Sequence, residues 1–392
     1  MDKGVFKKMK IGLMGCEFVS PNKGCEALAY SIIYILNKFS NADNNLEIYN
    51  FSGTELGEIQ TEFKNIKFKN VKPKLKDYKF NYLKNLHQCD FILDATMGDS
   101  FSDIYSKKYY DRLILDKRIA EAMCKNYILL PQTYGPFNYK GSGKKAKGVF
   151  KRAKYIYCRD EMSQKILESK FNIKNSELVT DMAFLLPYDK DRFSFDTNKI
   201  KLGINVSGLL YQGGFESSNQ FNLKINYKEY INELIEKYSN DEKYEVHLIP
   251  HVIDLNENAH DDDYKTIEKI HNQYANTILA PAFKNPIEAK SYISNMDIFS
   301  GARMHSTIAA FSTGVPCIPV SYSRKFEGLF NSLNYDYIIH AKEYDTAEAF
   351  NKTVEYCNNT EKLKKSQEEA NEDINKKLNN FVNSIEKILR ED

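Results

Sequence analysis

The residues with the clearest capacity for chemistry are an arginine and a histidine two positions apart, Arg303 and His305. An apolar run ends just before them, and a helix rich in small residues is predicted to begin at Ser306. N–H groups at a helix start attract anions, and the fork of an arginine suits phosphate or carboxylate. Histidine can carry or give a proton near neutral pH. This spacing therefore predicts the centre of an active site that handles a phosphorylated, acidic donor.

The elements that must position this pair are short apolar runs, typical of buried strands, that alternate with amphipathic stretches, typical of helices. The predicted strands are 10–14, 46–51, 91–93, 127–130, 155–158, 202–207, 245–249, 276–279, 297–299 and 317–320. The predicted helices include 24–39, 107–124, 162–167, 227–238, 306–312 and a terminal helix with an apolar stripe over 374–389. Such alternation indicates parallel sheets with crossover helices.

Two series of this kind predict an α/β protein with two Rossmann-like doubly wound domains. The polar stretch 189–192 is interpreted as the linker. We assign residues 1–190 to an N-terminal domain and residues 191–373 to a C-terminal domain. The last helix, 374–392, is assigned separately, with the N-terminal domain as its candidate packing partner.

Charge and cysteine content exclude several classes of protein. The 392 residues carry 55 basic and 53 acidic side chains, a net charge of +2, which argues against a nucleic-acid partner. Seven scattered cysteines without a CxxC pair indicate a reduced, cytoplasmic protein. The start resembles a lipoprotein signal, but its apolar core is shorter than the roughly 7–15 residues that a signal needs. Lys140–Lys154 holds seven basic residues and no acid, so it is a candidate contact with the inner face of a membrane, the alternative being a solvated helix face.

Polar residues at the carboxyl ends of parallel strands are the ones to weigh, because ligands of doubly wound sheets bind there. In the N-terminal half these are Asn22, Glu26, Asp99, Ser100 and Arg159. Each has a structural alternative: a first-turn acid such as Glu26 complements the helix dipole, and Arg159 has acidic neighbours for an ion pair. The spacing of the nearby aspartates does not fit a calcium loop, so no metal site is predicted.

In the C-terminal half the corresponding residues are Asn205, His251 and Lys325, besides the Arg303–His305 pair. A lone histidine such as His251 is most often structural. For the pair itself the alternative is a buried arginine that binds a sheet carboxylate, with His305 as a helix cap.

Seven segments, taken in order, resemble the polysaccharide pyruvyl transferase family; they are 22–27, 98–103, 130–137, 158–160, 181–184, 203–208 and 301–305 with its continuation to 325–326. The resemblance implies two Rossmann-like domains that face each other across a cleft, as in GT-B glycosyltransferases. It implies transfer of pyruvate from phosphoenolpyruvate to a sugar of a polysaccharide or lipid-linked precursor, usually as a cyclic ketal. Phosphoenolpyruvate is then the co-substrate, and no cofactor is expected. The chain departs from the family at Cys25 and at 95–97, on the acceptor side.

The same resemblance distributes roles among the candidate residues. The C-terminal domain becomes the donor side, where Arg303 and His305 match the family's Arg-x-His motif. His305 is the expected general acid, and Glu26 or Asp99 would orient or deprotonate the sugar hydroxyl. The remaining assignments are phosphoenolpyruvate binding by Arg303, His305, Arg159 and Lys325, and acceptor binding by Asn22, Glu26, Asp99, Ser100 and Asn205.

Two rival functions stay open at this point. A GT-B glycosyltransferase that uses a nucleotide-sugar would share the cleft and a basic donor site. A non-catalytic glycan-binding protein would bind the acceptor and release no phosphate.

Overall fold

The computed structural model describes residues 8–40, 46–71, 81–214, 218–254 and 261–391. The chain divides into two compact units. The first unit comprises Met1–Val19, Leu28–Leu185 and Ile374–Asp392, and the second comprises Ser20–Ala27 and Leu186–Asp373. Residues 20–27 therefore group with the second unit, although chain order alone places them in an N-terminal domain.

The first unit contains a parallel sheet of seven strands in the order β3-β2-β1-β4-β5-β6-β7. The strands are β1 Met9–Met14, β2 Leu46–Asn50, β3 Lys67–Asn70, β4 Phe91–Asp94, β5 Tyr127–Gln132, β6 Tyr155–Cys158 and β7 Ser176–Leu178. The helices up to this point are α1 Lys23–Asn37, α2 Ile59–Glu62, α3 Leu83–His87, α4 Lys107–Met123, α5 Ser142–Phe150 and α6 Glu161–Phe171. Central strands such as β4 and β5 are buried along their whole length, as expected for a sheet covered on both faces.

The second unit contains a parallel sheet of six strands in the order β10-β9-β8-β11-β12-β13. The strands are β8 Ile200–Asn205, β9 Tyr244–Ile249, β10 Thr277–Leu279, β11 Ile298–Gly301, β12 Cys317–Ser321 and β13 Ile339–His340. The remaining helices of the chain are α7 Gly208–Tyr211, α8 Tyr227–Ser239, α9 Asp263–Gln273, α10 Pro286–Ile293, α11 Met304–Ser312, α12 Arg324–Asn331, α13 Thr346–Cys357 and α14 Thr360–Glu391. The part of α14 from Ile374 onward belongs to the first unit. The architecture is thus two Rossmann-like α/β units.

Strand order reverses once in each sheet, between β1 and β4 and between β8 and β11. At such a reversal the crossover helices leave on opposite faces, and a crevice opens beyond the carboxyl ends of the two strands. Both reversals lie where the sequence places polar residues after buried strands.

Some elements differ from the sequence prediction. The edge strand β3 reads Lys-Phe-Lys-Asn, and its polar composition concealed it. Helix α14 begins at Thr360 rather than at 374. The stretch 189–192 forms a 3₁₀ turn, and Asp189 N–H donates to the hydroxyl of Ser291 on α10. Among the described helices none is long and apolar enough to cross a membrane.

Candidate functional site

A buried carboxylate, that of Asp263 at the start of α9, organises the strand ends of the second unit. It accepts hydrogen bonds from the backbone N–H groups of Gly208 at 2.8 Å, His251 at 3.0 Å and Val252 at 3.0 Å. Gly208 follows β8, and His251 and Val252 follow β9. One side chain therefore fixes the loops beyond two neighbouring strands.

The same carboxylate holds the guanidinium of Arg303, together with Asp261. Arg303 Nε donates to the two oxygens of Asp263 at 3.2 and 3.3 Å, and Nη2 donates to Oδ1 at 2.7 Å. Asp261 accepts from Nη1 at 3.4 Å and also from Nη2. Burial lowers the pKa of Arg303, but Asp263 and Asp261 outweigh it and hold that pKa above its ordinary value. Arg303 is thus a permanent cation that is already paired with carboxylates.

The two carboxylates differ in their access to solvent. The side chain of Asp263 is fully buried, whereas that of Asp261 is 34% exposed. Asp261 can therefore leave the guanidinium for water at low cost, while Asp263 cannot. Sequence reasoning missed both residues, and the run Asp261–Asp263 was the only available signal.

Asn205, predicted as an acceptor-binding residue, has its amide engaged within the second unit. Its Oδ1 accepts from the N–H of Arg303 at 2.9 Å and from the hydroxyl of Ser306 at 3.1 Å. Its Nδ2 donates to the carbonyl of Ile249 at 3.0 Å. Asn205 is fully buried, so the structure shows it joining β8 to β9 and to the start of α11.

His305 lies in the first turn of α11, directly after Arg303 and Met304. The backbone of Gly24 packs against its ring, since a Cβ added to Gly24 would lie 2.3 Å from His305 Nδ1. Any side chain at position 24 would displace the imidazole. Gly24 and His305 belong to the same unit, so this contact fixes the ring within it.

Segment 20–27 reaches His305 because it pairs with the chain after β9. Lys23 N–H donates to the carbonyl of His251 at 2.9 Å, and Ile253 N–H donates to the carbonyl of Pro21 at 2.8 Å. Asn22 forms a β-bridge with Val252, and its Oδ1 accepts from Gly24 N–H at 2.9 Å. The structure therefore places Asn22 in the second unit, beside the Arg303–His305 motif.

Glu26, predicted on the N-terminal side, lies in the same segment. Its side chain is 2% exposed, and its Oε1 accepts from Ser20 N–H at 2.8 Å and from Lys23 Nζ at 2.8 Å. Lys23 Nζ also donates to the carbonyl of Lys284 at 3.4 Å. The pair thus closes the segment on itself and attaches it to the body of the second unit.

His251 is a buried imidazole that the sequence singled out and left as structural. It is 3% exposed, and neither ring nitrogen has a hydrogen-bond partner in the described part of the chain. Burial, followed by the nearby His305, Arg303 and Lys23, holds the pKa of His251 well below its ordinary value. Because a buried polar group without a partner is costly, this neutral ring is available to a ligand or to water.

In the first unit, Arg159 follows β6 and is 3% exposed. Its Nη1 donates to Asp181 Oδ2 at 3.0 Å, and Nε and Nη2 donate to the hydroxyl of Thr133 at 3.2 and 2.7 Å. Thr133 in turn donates to Asp160 Oδ2 at 2.8 Å. Arg159 therefore forms a buried ion pair with Asp181, the first residue of segment 181–184.

Asp99 and Ser100 follow a 3₁₀ turn over Thr96–Gly98. Asp99 is half-buried and Ser100 is buried. A Cβ added to Gly98 would lie 3.1 Å from Arg159 Nη1, so Arg159 lies directly against this turn. The structure thus brings Asp99, Ser100 and Arg159 to one edge of the first sheet.

The side chain of Lys325, on α12, lies outside the described residues, so its role stays a prediction. Among the described residues no group of three or more His, Cys, Asp and Glu side chains is placed to hold a metal ion. The chemistry that the second unit displays is therefore that of a carboxylate-held arginine beside two imidazoles. The arginine can bind an anion, and the two imidazoles can bind or release protons.

Several solved structures share the fold at low sequence identity. Anabaena HepE, solved with UDP and glucose, is 11% identical with a TM-score of 0.59, and the match covers 98% of this chain and 100% of that one. A sucrose-phosphate synthase from Thermosynechococcus elongatus is 8% identical with a TM-score of 0.54, covering 97% and 98%. The UDP-GlcNAc 2-epimerase of Neisseria meningitidis, bound to UDP-GlcNAc, is 13% identical with a TM-score of 0.55, covering 92% and 94%. These neighbours assign the chain to the GT-B fold class.

No curated protein matches the chain. The family model of the polysaccharide pyruvyl transferases matches residues 22–324, which include both arginines and both histidines described above. The chain therefore belongs to the polysaccharide pyruvyl transferase family.

Proposed function

We propose that the protein transfers pyruvate from phosphoenolpyruvate to a sugar of a polysaccharide or of its lipid-linked precursor and forms a cyclic ketal. The observation that carries this proposal is Arg303, held by Asp263 and followed by His305, at the strand-order reversal of the second unit in a chain of this family. Phosphoenolpyruvate is the co-substrate, and neither a metal nor an organic cofactor is needed.

The donor carries a phosphate and a carboxylate on neighbouring carbons, so it needs cations in fixed positions. Arg303 is such a cation, and the half-exposed Asp261 now occupies the side of its guanidinium that an anion would use. We assign the incoming donor to the place of Asp261, while Asp263 keeps the guanidinium oriented. Arg159 and Lys325 remain the other proposed donor ligands.

In the proposed reaction a sugar hydroxyl adds to the carbon that carries the phosphate, and the methylene carbon gains a proton and becomes a methyl group. Inorganic phosphate leaves, and a second hydroxyl of the same sugar adds to the carbon that carried the phosphate and loses its proton. His305 protonates the methylene carbon or the departing phosphate, and Glu26 or Asp99 orients the hydroxyl or accepts its proton. The products are the ketal and inorganic phosphate, which balances the reaction.

The test is release of phosphate from phosphoenolpyruvate in the presence of a glycan acceptor. We expect Arg303→Ala and His305→Ala each to lose about 100-fold or more in turnover, the usual range for removing a positioned acid or charge. His87→Gln and Arg390→Ala, both outside the site, serve as matched controls. Full turnover in both site variants would sink the assignment.

A binding measurement separates the rival functions. Phosphoenolpyruvate is expected to raise the melting temperature of the protein, since a ligand that binds only the folded state stabilises it. Stabilisation by UDP or GDP, without an effect of phosphoenolpyruvate, would favour a nucleotide-sugar glycosyltransferase. Acceptor binding without any phosphate release would favour a non-catalytic glycan-binding protein.

We also propose that the basic segment Lys140–Lys154 contacts the inner face of a membrane. Lys140, Lys144 and Lys151 are exposed along α5 and its flanks. Near an anionic surface each basic residue contributes about 1 kcal/mol, and salt screens the attraction. Sedimentation with phosphatidylserine vesicles at low salt is the expected result, and sedimentation that persists at high salt in Lys144→Glu would contradict it.

A further inference from the structure

A cavity of about 230 Å³ is lined entirely by residues of the first unit. Its lining includes Met14 and Gly15 at the end of β1 and Asp94 at the end of β4. The cavity therefore opens at the strand-order reversal of the first sheet, the place where doubly wound sheets bind their ligands.

The charges that line this cavity disfavour an anion. Its two cations are already paired: Lys117 Nζ lies 2.7 Å from Asp94 Oδ2, and Arg112 Nε lies 3.0 Å from Asp116 Oδ2. Glu17 adds a third carboxylate to the lining. Carboxylate oxygens only accept hydrogen bonds when they are ionised, so they suit a ligand rich in hydroxyl donors.

The apolar part of the lining is aromatic. Phe51 and Tyr82 contact each other edge to face at a ring distance of 5.3 Å, and Tyr109 lies on α4 at the same cavity. Aromatic faces beside a few convergent polar groups are typical of small-molecule sites, and they suit the C–H face of a pyranose. Tyr109 also lies close to Ser100, a residue predicted to bind the acceptor.

The backbone beside the cavity is held in a costly conformation. Thr96 and Met97 have φ angles of 42° and 50°, in the left-handed region that a β-branched residue rarely adopts. Met97 N–H donates to the carbonyl of Gly15 at 2.7 Å, and Asp94 Oδ1 accepts from Thr96 N–H at 3.0 Å and from its hydroxyl at 2.7 Å. Left-handed conformations of residues other than glycine are strained and cluster at binding sites.

We propose that this cavity binds one neutral pyranose ring of the saccharide acceptor, with Asp116 and Glu17 accepting from its hydroxyls and Tyr109 packing on its C–H face. The inference rests on the proposed function for the identity of the saccharide as an acceptor. The cavity volume of about 230 Å³ lies below the roughly 300–1,000 Å³ of pockets for drug-sized ligands. It therefore suits a ligand as small as one sugar ring. Glu17, Tyr109 and Asp116 are new acceptor-binding candidates, and they lie near Ser100, which the sequence already pointed to.

The test measures binding of the methyl glycosides of galactose, glucose, mannose and N-acetylglucosamine to the full chain by saturation-transfer NMR and calorimetry. We expect one of the four to bind, and Tyr109→Leu and the double variant Glu17→Gln with Asp116→Asn to weaken it about tenfold or more. Asp111→Asn, on the same helix but outside the cavity lining, should bind like the unmodified protein. Melting curves establish that each variant is folded.

Binding of none of the four glycosides, or unchanged affinity in both folded variants, would overturn the inference. Phosphate release from phosphoenolpyruvate, measured on the same variants, distinguishes a failure of this inference from a failure of the proposed function. Glycan-dependent release with an unchanged KM for the glycan in the variants rejects the cavity and keeps the function. Glycoside binding that the variants lose, without phosphate release under any condition, rejects the function and keeps the cavity.

Discussion

Two buried arginines, Arg159 in the first unit and Arg303 in the second, stand at strand ends and are each held by a fully buried aspartate. Within the described residues, Arg159 pairs with one carboxylate, Asp181, and completes its contacts with the hydroxyl of Thr133. Arg303 has two carboxylates, and the second of them, Asp261, is partly exposed. The first guanidinium is therefore balanced one to one, whereas the second holds a negative group in excess.

This difference separates a fixed charge from an exchangeable one. Removing Asp181 from Arg159 leaves a buried cation without a counter-ion, which is costly. Removing Asp261 from Arg303 leaves Asp263 in place, so an incoming anion can take over the vacated side of the guanidinium. The second unit also sets two imidazoles, His251 and His305, near its arginine. The proposed transfer from a phosphorylated donor would use such an exchange beside a group that carries a proton.

The largest expected effect comes from removing a carboxylate from the buried arginine of the first unit. Asp181→Asn should destabilise the protein by about 3–5 kcal/mol, because Arg159 loses its counter-ion in a buried site. Asp261→Asn should cost about 1 kcal/mol or less, because Arg303 keeps the buried Asp263 and Asp261 is partly exposed. Urea unfolding measures both free energies, with the exposed Glu161→Gln as a control within about 0.5 kcal/mol of the unmodified protein. A larger loss in Asp261→Asn than in Asp181→Asn would break the comparison.

The next largest effects are expected at Gly98, which faces Arg159, and at Gly24, which faces His305. Gly98 has a φ of 79°, so Gly98→Ala strains the backbone beside Arg159 and should lower stability by roughly 1–3 kcal/mol. Gly24→Ala should instead displace the His305 ring and lower the turnover by about tenfold or more, as a small misplacement of a reacting group does. Melting temperature and phosphate release measure the two outcomes. Gly143→Ala, whose Cβ would meet only ordinary contacts at 3.4 Å, is the control.

Only part of the surroundings of Arg159 and Arg303 could be predicted from the sequence. The strand-end positions of Arg159, Arg303 and His305 could be predicted, because the buried strands before them, β6 and β11, read as apolar runs that end in polar residues. The roles of these three residues stay predictions. The carboxylates that hold Arg303 could not be predicted, because Asp263 lies 40 residues earlier and nothing in the sequence couples them. Segment 20–27 was placed by chain order, whereas it pairs with the chain after β9. Long-range pairing of this kind leaves no local pattern.

A third effect depends on pH and belongs to the second unit. Burial and the neighbouring His305, Arg303 and Lys23 lower the pKa of His251 in the folded state, so below the ordinary value of about 6.5 the unfolded chain binds a proton that the folded one does not. Stability from this group is present above pH 6.5 and is lost as pH falls, by up to about 1.4 kcal/mol per pH unit. His251→Gln should flatten that slope in urea unfolding between about pH 5 and 7. An unchanged slope would show that folding does not lower the pKa of His251.

The smallest effect tests the exchange itself. Asp261→Asn removes the charge that competes with the donor, so the KM for phosphoenolpyruvate should fall about three- to tenfold while kcat changes little. Steady-state phosphate release at several concentrations of phosphoenolpyruvate measures both constants. Asp241→Asn, an acid elsewhere in the second unit, is the matched control. A higher KM in Asp261→Asn would mean that Asp261 assists the binding of phosphoenolpyruvate. Asp261 would then be a fixed partner of Arg303, as Asp181 is of Arg159.

The division of the chain bears on how this protein can be recombined with its relatives. The chain passes between the units at 19/20, 27/28, 185/186 and 373/374, and two of these points fall inside the continuous helices α1 and α14. A chimera joined at 185/186 alone would combine the Arg303–His305 motif from one parent with the Gly24 backbone that packs on His305 from the other. Exchange of specificity between family members therefore has to carry residues 20–27 along with the C-terminal half, as a single inherited block.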